Sequence, residues 1–273
     1  MSHPGIGSFF SLSFANLTKL NVSVGIACIL MVLRWLRPIR DYPFDSSLLS
    51  EELENRKILL DNIGTKSIWT ADLVLQIHQL FEKQRTAKYL FCSKIMGVDG
   101  NYQDVRYYRA AFGSDQARLS NTFKELDRLG ASTFCTPHIP LTSILNLVSH
   151  EDCLAIVLVD NSALVGSRGV RDIVGEDQYI GHYVILCGIS TDKESLEAAK
   201  EFDGNSEAGE DHCLVMYNPG HNNPRIMFVT PSRFQRARSA KGTDEDIIFI
   251  FRQSSDAGQD YTDPFIDSKK TKT

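Results

Sequence analysis

The chain has 273 residues, of which 42% are hydrophobic, and 34 acidic against 29 basic side chains give a formal net charge of −5 at pH 7. This length allows a sizeable buried core, while the acidic balance argues against a nucleic-acid-binding surface. Six cysteines are scattered with no C-x-x-C pair, which argues against a zinc site and against a disulfide framework. We therefore expect a globular protein of a reducing, cytoplasmic compartment with no nucleic-acid partner.

The first strong apolar segment, residues 24–33, predicts a buried helix from about Gly25 to Leu36 that ends before Pro38. At roughly ten residues this segment is too short to span a bilayer, so we expect no membrane span. Cys28 lies within it and is expected in the core, where a thiol behaves as a small hydrophobe. The polar residues 1–20 predict a poorly structured N-terminal segment.

Further helices are predicted where apolar residues recur at helical spacing, at residues 46–63, 67–84, 115–129 and 140–150. His78, on the second of these, is expected on the helix surface. Short β-branched runs bounded by turn residues predict strands at residues 87–94, 131–136, 153–160, 179–189, 212–219, 225–230 and 246–251. The acidic stretch 190–211 predicts a surface insertion, and Thr230 with Pro231 predicts the capped start of a short helix.

Helices come first along the chain, and a largely antiparallel sheet follows. Segregated elements of this kind predict an α+β fold, with N-terminal helices packed on a C-terminal sheet and a single domain at residues 21–252. The polar residues 253–273 predict a disordered tail. A buried N-terminal helix packed on a C-terminal sheet is also the arrangement of papain-like cysteine hydrolases.

Two polar residues at strand ends are the candidate catalytic groups. His182 begins the strand "GHYVILCGI", and Asn218 follows the strand "CLVMY". An Asn carbonyl that accepts a bond from one ring nitrogen of a histidine leaves the other nitrogen to take a proton. In such folds the nucleophilic cysteine stands at the N-terminus of the buried helix, where the helix dipole lowers its pKa. Here that position is Val24, which has no atom to attack with, and Cys28 lies one turn further in.

The segments "GIACILMVLR", "SIWTADL", "GHYVILCG", "YNP" and "GTDEDIIFI" together resemble the family of guanylyl cyclase domain-containing protein 1 and plant soluble guanylyl cyclase 1. The resemblance runs from Gly25 to Phe251. Family members usually read Q-L-x-x-W-D-C-G-L-A-C at the first helix, whereas this chain has Thr18 at the Gln position and Val22, Ser23 and Val24 at the Trp-Asp-Cys positions. Because all mismatches precede Gly25, we expect a different first exon or a misassigned start there.

The resemblance implies conversion of GTP to cyclic GMP and pyrophosphate, with Mg²⁺ as the metal that holds the triphosphate. Weak candidates for metal binding are Asp244 and Asp246 in the run "GTDED", although a solvated turn before the last strand is the simpler interpretation. Four arginines are available for phosphate, Arg106, Arg109, Arg233 and Arg236, although arginines on helix surfaces are common. The residues themselves do not indicate cyclase chemistry.

Two alternatives remain from the sequence. A papain-like hydrolase keeps His182 and Asn218 but lacks its nucleophile, so cysteine-hydrolase activity is not expected. A binding module of the same descent would keep the cleft, take a peptide-like ligand and have lost the reaction.

Overall fold

The computed structural model describes residues 23–37, 46–63, 68–84, 87–104, 109, 112–165, 179–204, 210–220 and 226–252. The predictions of a poorly structured segment at 1–20 and a disordered tail at 253–273 lie outside these residues.

The described residues form eight α-helices and seven strands. The helices are α1 (Val24–Trp35), α2 (Ser46–Ile63), α3 (Thr70–Gln84), α4 (Phe112–Arg128), α5 (Leu141–Val148), α6 (Asn161–Val165), α7 (Lys193–Phe202) and α8 (Pro231–Arg238). The strands are β1 (Ala87–Ser93), β2 (Thr133–Cys135), β3 (Cys153–Asp160), β4 (Gly181–Ser190), β5 (Cys213–Tyr217), β6 (Ile226–Val229) and β7 (Ile247–Arg252), and a 3-10 helix spans Gly100–Asp104.

All seven strands join one sheet in the order β2-β1-β7-β3-β4-β5-β6. The pair β1–β2 is parallel and the other five pairs are antiparallel. This confirms the predicted α+β class with a mostly antiparallel sheet. Because β7 inserts between β1 and β3, the last strand of the chain lies near the middle of the sheet.

Helices cover both faces of the sheet. Side chains alternate along a strand, so Tyr183 and Ile185 of β4 pack with α1 and α3, whereas Val184 and Leu186 pack on the opposite face with α5 and α8. Strand β3 is apolar along nearly its whole length, which is expected of a strand in a sheet that is covered on both faces.

Helix α1 is the predicted buried helix, with its start one residue earlier. Ser23 caps it by accepting a hydrogen bond from the backbone N–H of Ile26 at 3.4 Å. Cys28 is fully buried, and burial raises the pKa of its thiol above the ordinary range, as its predicted core position requires. None of the described helices combines the length and apolarity that crossing a membrane would need.

The described residues of the predicted surface insertion at 190–211 are mostly exposed, and they contain helix α7, which the sequence pattern did not predict. The Asp192 carboxylate caps this helix by accepting the N–H of Ser195, and Ala199 is buried against the sheet edge. The prediction for His78 was wrong, because this side chain is buried rather than on the helix surface. Its Nδ1 lies 2.9 Å from the hydroxyl of Tyr89 on β1. His78 lies beside the apolar face of α3, and β1 packs over that part of the helix as well.

Candidate functional site

The structure brings His182 and Asn218 into direct contact. His182 Nε2 lies 2.7 Å from Asn218 Oδ1, and the same oxygen accepts the backbone N–H of Gly220 at 2.9 Å. Asn218 is only 1% exposed, so its amide is held in place by the protein. The bond from Nε2–H to the amide oxygen selects the tautomer in which Nδ1 carries the lone pair.

Gly220 makes this contact possible. A Cβ at this position would lie 2.5 Å from Cε1 of His182 and 3.3 Å from Oδ1 of Asn218. The first distance is below any normal carbon–carbon contact, so only glycine fits beneath the imidazole.

We expect Gly220→Ala to displace the imidazole or the turn. The overpacking should cost about 1–3 kcal/mol of unfolding free energy, and the hydrogen-bonded Nε2–H signal should disappear from the ¹⁵N spectrum of the ring. Gly113→Ala is the control, because nothing lies within 4 Å of a Cβ at that position. An unchanged His182 signal in Gly220→Ala would contradict the packing described above.

The start of α1 lies beside the start of β4. A Cβ on Gly25 would lie 3.3 Å from the ring of Tyr183, the residue after His182. Because side chains alternate along a strand, Tyr183 and His182 leave β4 on opposite faces. The helix start therefore adjoins the strand on the Tyr183 side, and proximity of the Val24 side chain to the imidazole stays a prediction.

No described thiol replaces the missing nucleophile at Val24. Cys28 is buried with a raised pKa, which disfavours the reactive thiolate. Among the described cysteines only Cys135 is exposed, at the end of β2 on the far side of the sheet from β4.

The run "GTDED" is not the solvated turn that the sequence suggested. Glu245 is 3% exposed, and its carboxylate meets Arg238 Nη1 at 2.8 Å, Lys94 Nζ at 2.6 Å and His138 Nδ1 at 2.9 Å. Asp244 and Glu245 both have φ of 51°, a left-handed conformation that non-glycine residues rarely adopt. The turn is therefore an ionic cluster, which we call the Glu245 cluster, between β1, α8 and the segment after β2.

The two weak metal candidates in this run have different surroundings. Asp244 accepts a hydrogen bond from the hydroxyl of Tyr102. Burial, together with the charge of Asp244, raises the pKa of Asp246 to about 7, and Oδ1 of Asp246 has no hydrogen-bond partner. The part of the chain that the structure describes contains no group of three or more His, Cys, Asp or Glu side chains placed to hold a metal ion. The metal-binding role of Asp244 and Asp246 therefore stays a prediction.

Arg233 does not face solvent as a phosphate ligand would. Its guanidinium is buried and donates to the carbonyls of Leu164 and Phe202 and to the carboxylate of Asp203. Arg236 is exposed, although it also bonds Asp203. Arg233 therefore fixes α8 against α6 and α7.

Comparison with known proteins places the chain in a family. A family model described as guanylylate cyclase matches residues 18–250, which is most of the chain. The chain belongs to the guanylylate cyclase family. Guanylyl cyclase 1 of Arabidopsis thaliana is 25% identical over 232 residues, which cover 83% of this chain and 70% of that protein. No solved structure matches, so the papain-like part of the fold prediction stays a prediction.

For this member of the guanylylate cyclase family, the sequence predicted the contact between His182 and Asn218, and it did not predict the burial of the acidic turn. His182 begins an apolar strand and Asn218 directly follows one, so their patterns are local. The burial of Glu245 and Asp246 had one available indication, since "DED" joins the apolar run "IIFIF" with no polar spacer. Acidic residues that lead directly into a central strand must enter the core region with it.

Proposed function

We propose that this member of the guanylylate cyclase family converts GTP to cyclic GMP and pyrophosphate, with His182 as the general base. The hydrogen bond between His182 and Asn218 supports this role, because it orients the imidazole with Nδ1 as the accepting nitrogen. In this reaction the 3′-hydroxyl of GTP is the nucleophile. The valine at position 24 is therefore no obstacle to it.

The proton and electron movements are simple. The 3′-oxygen attacks the α-phosphorus and its proton passes to Nδ1 of His182, while the bond to the bridging oxygen breaks and pyrophosphate leaves. Asn218 holds the resulting imidazolium through Nε2–H. Magnesium, brought with the triphosphate, would neutralise the developing charge. We assign no step to a protein-held metal, because the described residues show no group of three or more ligating side chains.

The decisive measurement is cyclic GMP, detected by mass spectrometry after incubation of the purified protein with GTP and Mg²⁺. We expect product from the wild type and a loss of roughly 100-fold or more in His182→Gln, since general-base catalysis is typically worth that much. The matched control is His150→Gln, an exposed histidine after α5. The cyclase proposal fails if the wild type forms no cyclic GMP, or if His182→Gln retains the wild-type rate.

A second candidate is favoured by Val24 itself. A histidine paired with an asparagine, on a strand that packs against a helix starting with valine, is the expected remnant of a cysteine hydrolase that now only binds a peptide-like ligand. Restoring the nucleophile tests this descent. We expect Val24→Cys, made in a Cys135→Ser background that removes the exposed thiol, to react with iodoacetamide faster than an unassisted thiol.

The control for this reaction is the same protein with His182→Gln. If the imidazole lies within reach of position 24, the added substitution should slow alkylation by roughly tenfold or more at pH 7, because the thiolate loses its proton acceptor. Equal alkylation rates in both proteins would show that the imidazole does not reach position 24, and would contradict the hydrolase interpretation. The cyclase test is independent of this result.

A further inference from the structure

One aromatic ring, that of Tyr179, lies between two glycines that are distant from each other in the chain. A Cβ on Gly181 would lie 2.8 Å from the hydroxyl oxygen of Tyr179 and 3.2 Å from its Cε1 and Cζ. A Cβ on Gly242 would lie 3.2 Å from Cδ1, Cδ2 and Cε1 of the same ring. These distances are shorter than ordinary contacts of a Cβ atom, so the ring occupies the space that two side chains would otherwise take.

The backbone at Gly242 allows this close approach. Gly242 is buried in the turn between α8 and β7, and its φ of 108° is a conformation that other residues rarely adopt. A larger residue at this position would strain the backbone and press on the ring. We call the unit formed by Tyr179, Gly181 and Gly242 the Tyr179 clamp.

The clamp lies where the chain enters β4, directly before His182. Both backbone groups of the preceding residue, Ile180, are bonded to the end of β3. Its N–H donates to the carboxylate of Asp160 at 3.2 Å, and its carbonyl accepts the N–H of the first residue of α6 at 2.9 Å. Gly181 then links this anchored residue to His182. Because glycine has the most permissive backbone, the ring beside Gly181 restricts a residue that would otherwise be free to turn.

The start of β4 depends on such a contact more than the rest of the strand does. Pairing with β3 extends to Gly181, whereas pairing with β5 begins only at Ile185. Within the described part of the chain, residues 181–184 therefore have a strand beside them on one side only. A segment with fewer backbone bonds opens more easily than the centre of a sheet, so its position is set by the side chains around it.

The ring and the imidazole leave the chain on opposite faces. Side chains alternate along an extended segment, and Tyr179 packs over Gly181, so His182 points to the other face. There the imidazole is held by Asn218 at 2.7 Å. The ring therefore supports the strand from behind the imidazole and acts on it through the backbone.

We propose that Tyr179 is a positioning residue for His182: its ring, held against Gly242, fixes the backbone of Gly181 and with it the place of the imidazole. This inference rests on the proposed function, because His182 is the general base there. A base must stand within hydrogen-bond reach of the proton that it takes, and a displacement of about 1 Å can cost about 100-fold in rate. The ring therefore acts on turnover and leaves the binding of GTP unchanged.

Two substitutions of Tyr179 separate the ring from the hydroxyl. Tyr179→Leu removes the flat ring, and we expect it to shift or abolish the His182 Nε2–H signal in the ¹⁵N spectrum. It should also lower kcat for cyclic GMP formation by roughly tenfold or more, with KM for GTP unchanged. Tyr179→Phe keeps the ring and should preserve both the signal and kcat.

Phe112→Leu is the matched control. Phe112 belongs to the same aromatic cluster as Tyr179, but the atoms nearest to a Cβ on either glycine all belong to Tyr179. This substitution should therefore leave the His182 signal and kcat unchanged, whatever it does to stability.

Gly242→Ala tests the clamp from its other side and leaves Tyr179 itself in place. The added methyl group should push the ring towards Gly181 and affect the His182 signal and kcat as Tyr179→Leu does. In the double variant the methyl group has room, so the loss should be no greater than in Tyr179→Leu alone. Independent structural effects would instead multiply.

The inference is overturned if Tyr179→Leu keeps the wild-type signal and kcat, if Phe112→Leu or Tyr179→Phe loses as much, or if the losses in the double variant multiply. The ¹⁵N comparison needs neither GTP nor product. A wild type that forms no cyclic GMP would therefore remove the cyclase, while the response of the His182 signal would still decide the positioning role.

Discussion

Glu245→Ala should lower the free energy of unfolding by about 3–5 kcal/mol, the usual cost of removing one partner of a buried ion pair. The cost arises at Arg238, which is 1% exposed and would keep its charge without the 2.8 Å contact to the carboxylate. The backbone N–H of Ile139 would lose its acceptor as well. Urea-induced unfolding, followed by circular dichroism, measures the change.

The matched control is Glu125→Ala on α4. Glu125 also pairs with an arginine, Arg128 at 2.6 Å, but both side chains face water. Surface pairs of this kind contribute little, so no measurable destabilisation is expected there. A similar decrease in the free energy of unfolding in the two variants would show that burial does not strengthen the Glu245 cluster.

Acid should weaken the same cluster. Burial raises the pKa of Glu245, but bonds from Lys94 and His138 and the charge of Arg238 outweigh it and leave the pKa below its usual value. A carboxyl whose pKa is lower in the folded state stabilises the fold above its unfolded pKa. This contribution is lost as the pH falls through the folded pKa. The free energy of unfolding of Glu245→Ala should therefore decrease less than that of the wild type as the pH falls.

The sequence was sufficient where the determining forces are local. The spacing of apolar residues and the position of Pro38 predicted α1, and Thr230 with Pro231 predicted the start of α8, where the Thr230 hydroxyl accepts the N–H of Arg233. The His182–Asn218 contact also followed from local information, because adjacent antiparallel strands bring the start of one near the end of the next.

The sequence was insufficient where long-range packing decides. His78 and Glu245 carry polar side chains in patterns that are typical of exposed positions, and both are buried. β1, the next element along the chain, covers His78, whereas Lys94 and His138 reach Glu245 from distant parts of the chain. The turn at 243–246 enters the interior because β7 inserts between β1 and β3, an order that the chain sequence does not display. The unmet acceptor of Asp246 depends on the same insertion and was equally invisible.

Asp246→Asn should stabilise the protein increasingly as the pH rises. Burial, and then the charge of Asp244, raise the pKa of Asp246 from 3.8 to about 7. Between these values the unfolded chain has lost the proton that the folded chain retains, so wild-type stability falls with rising pH. One pKa unit is worth about 1.4 kcal/mol, so the advantage of the variant should grow by roughly 3 kcal/mol between pH 5 and pH 8.

Urea unfolding at the two pH values measures this advantage, with Asp127→Asn, which changes an exposed acid on α4, as the control that should show no such trend. An advantage that is equal at both pH values would mean that the carboxyl titrates normally.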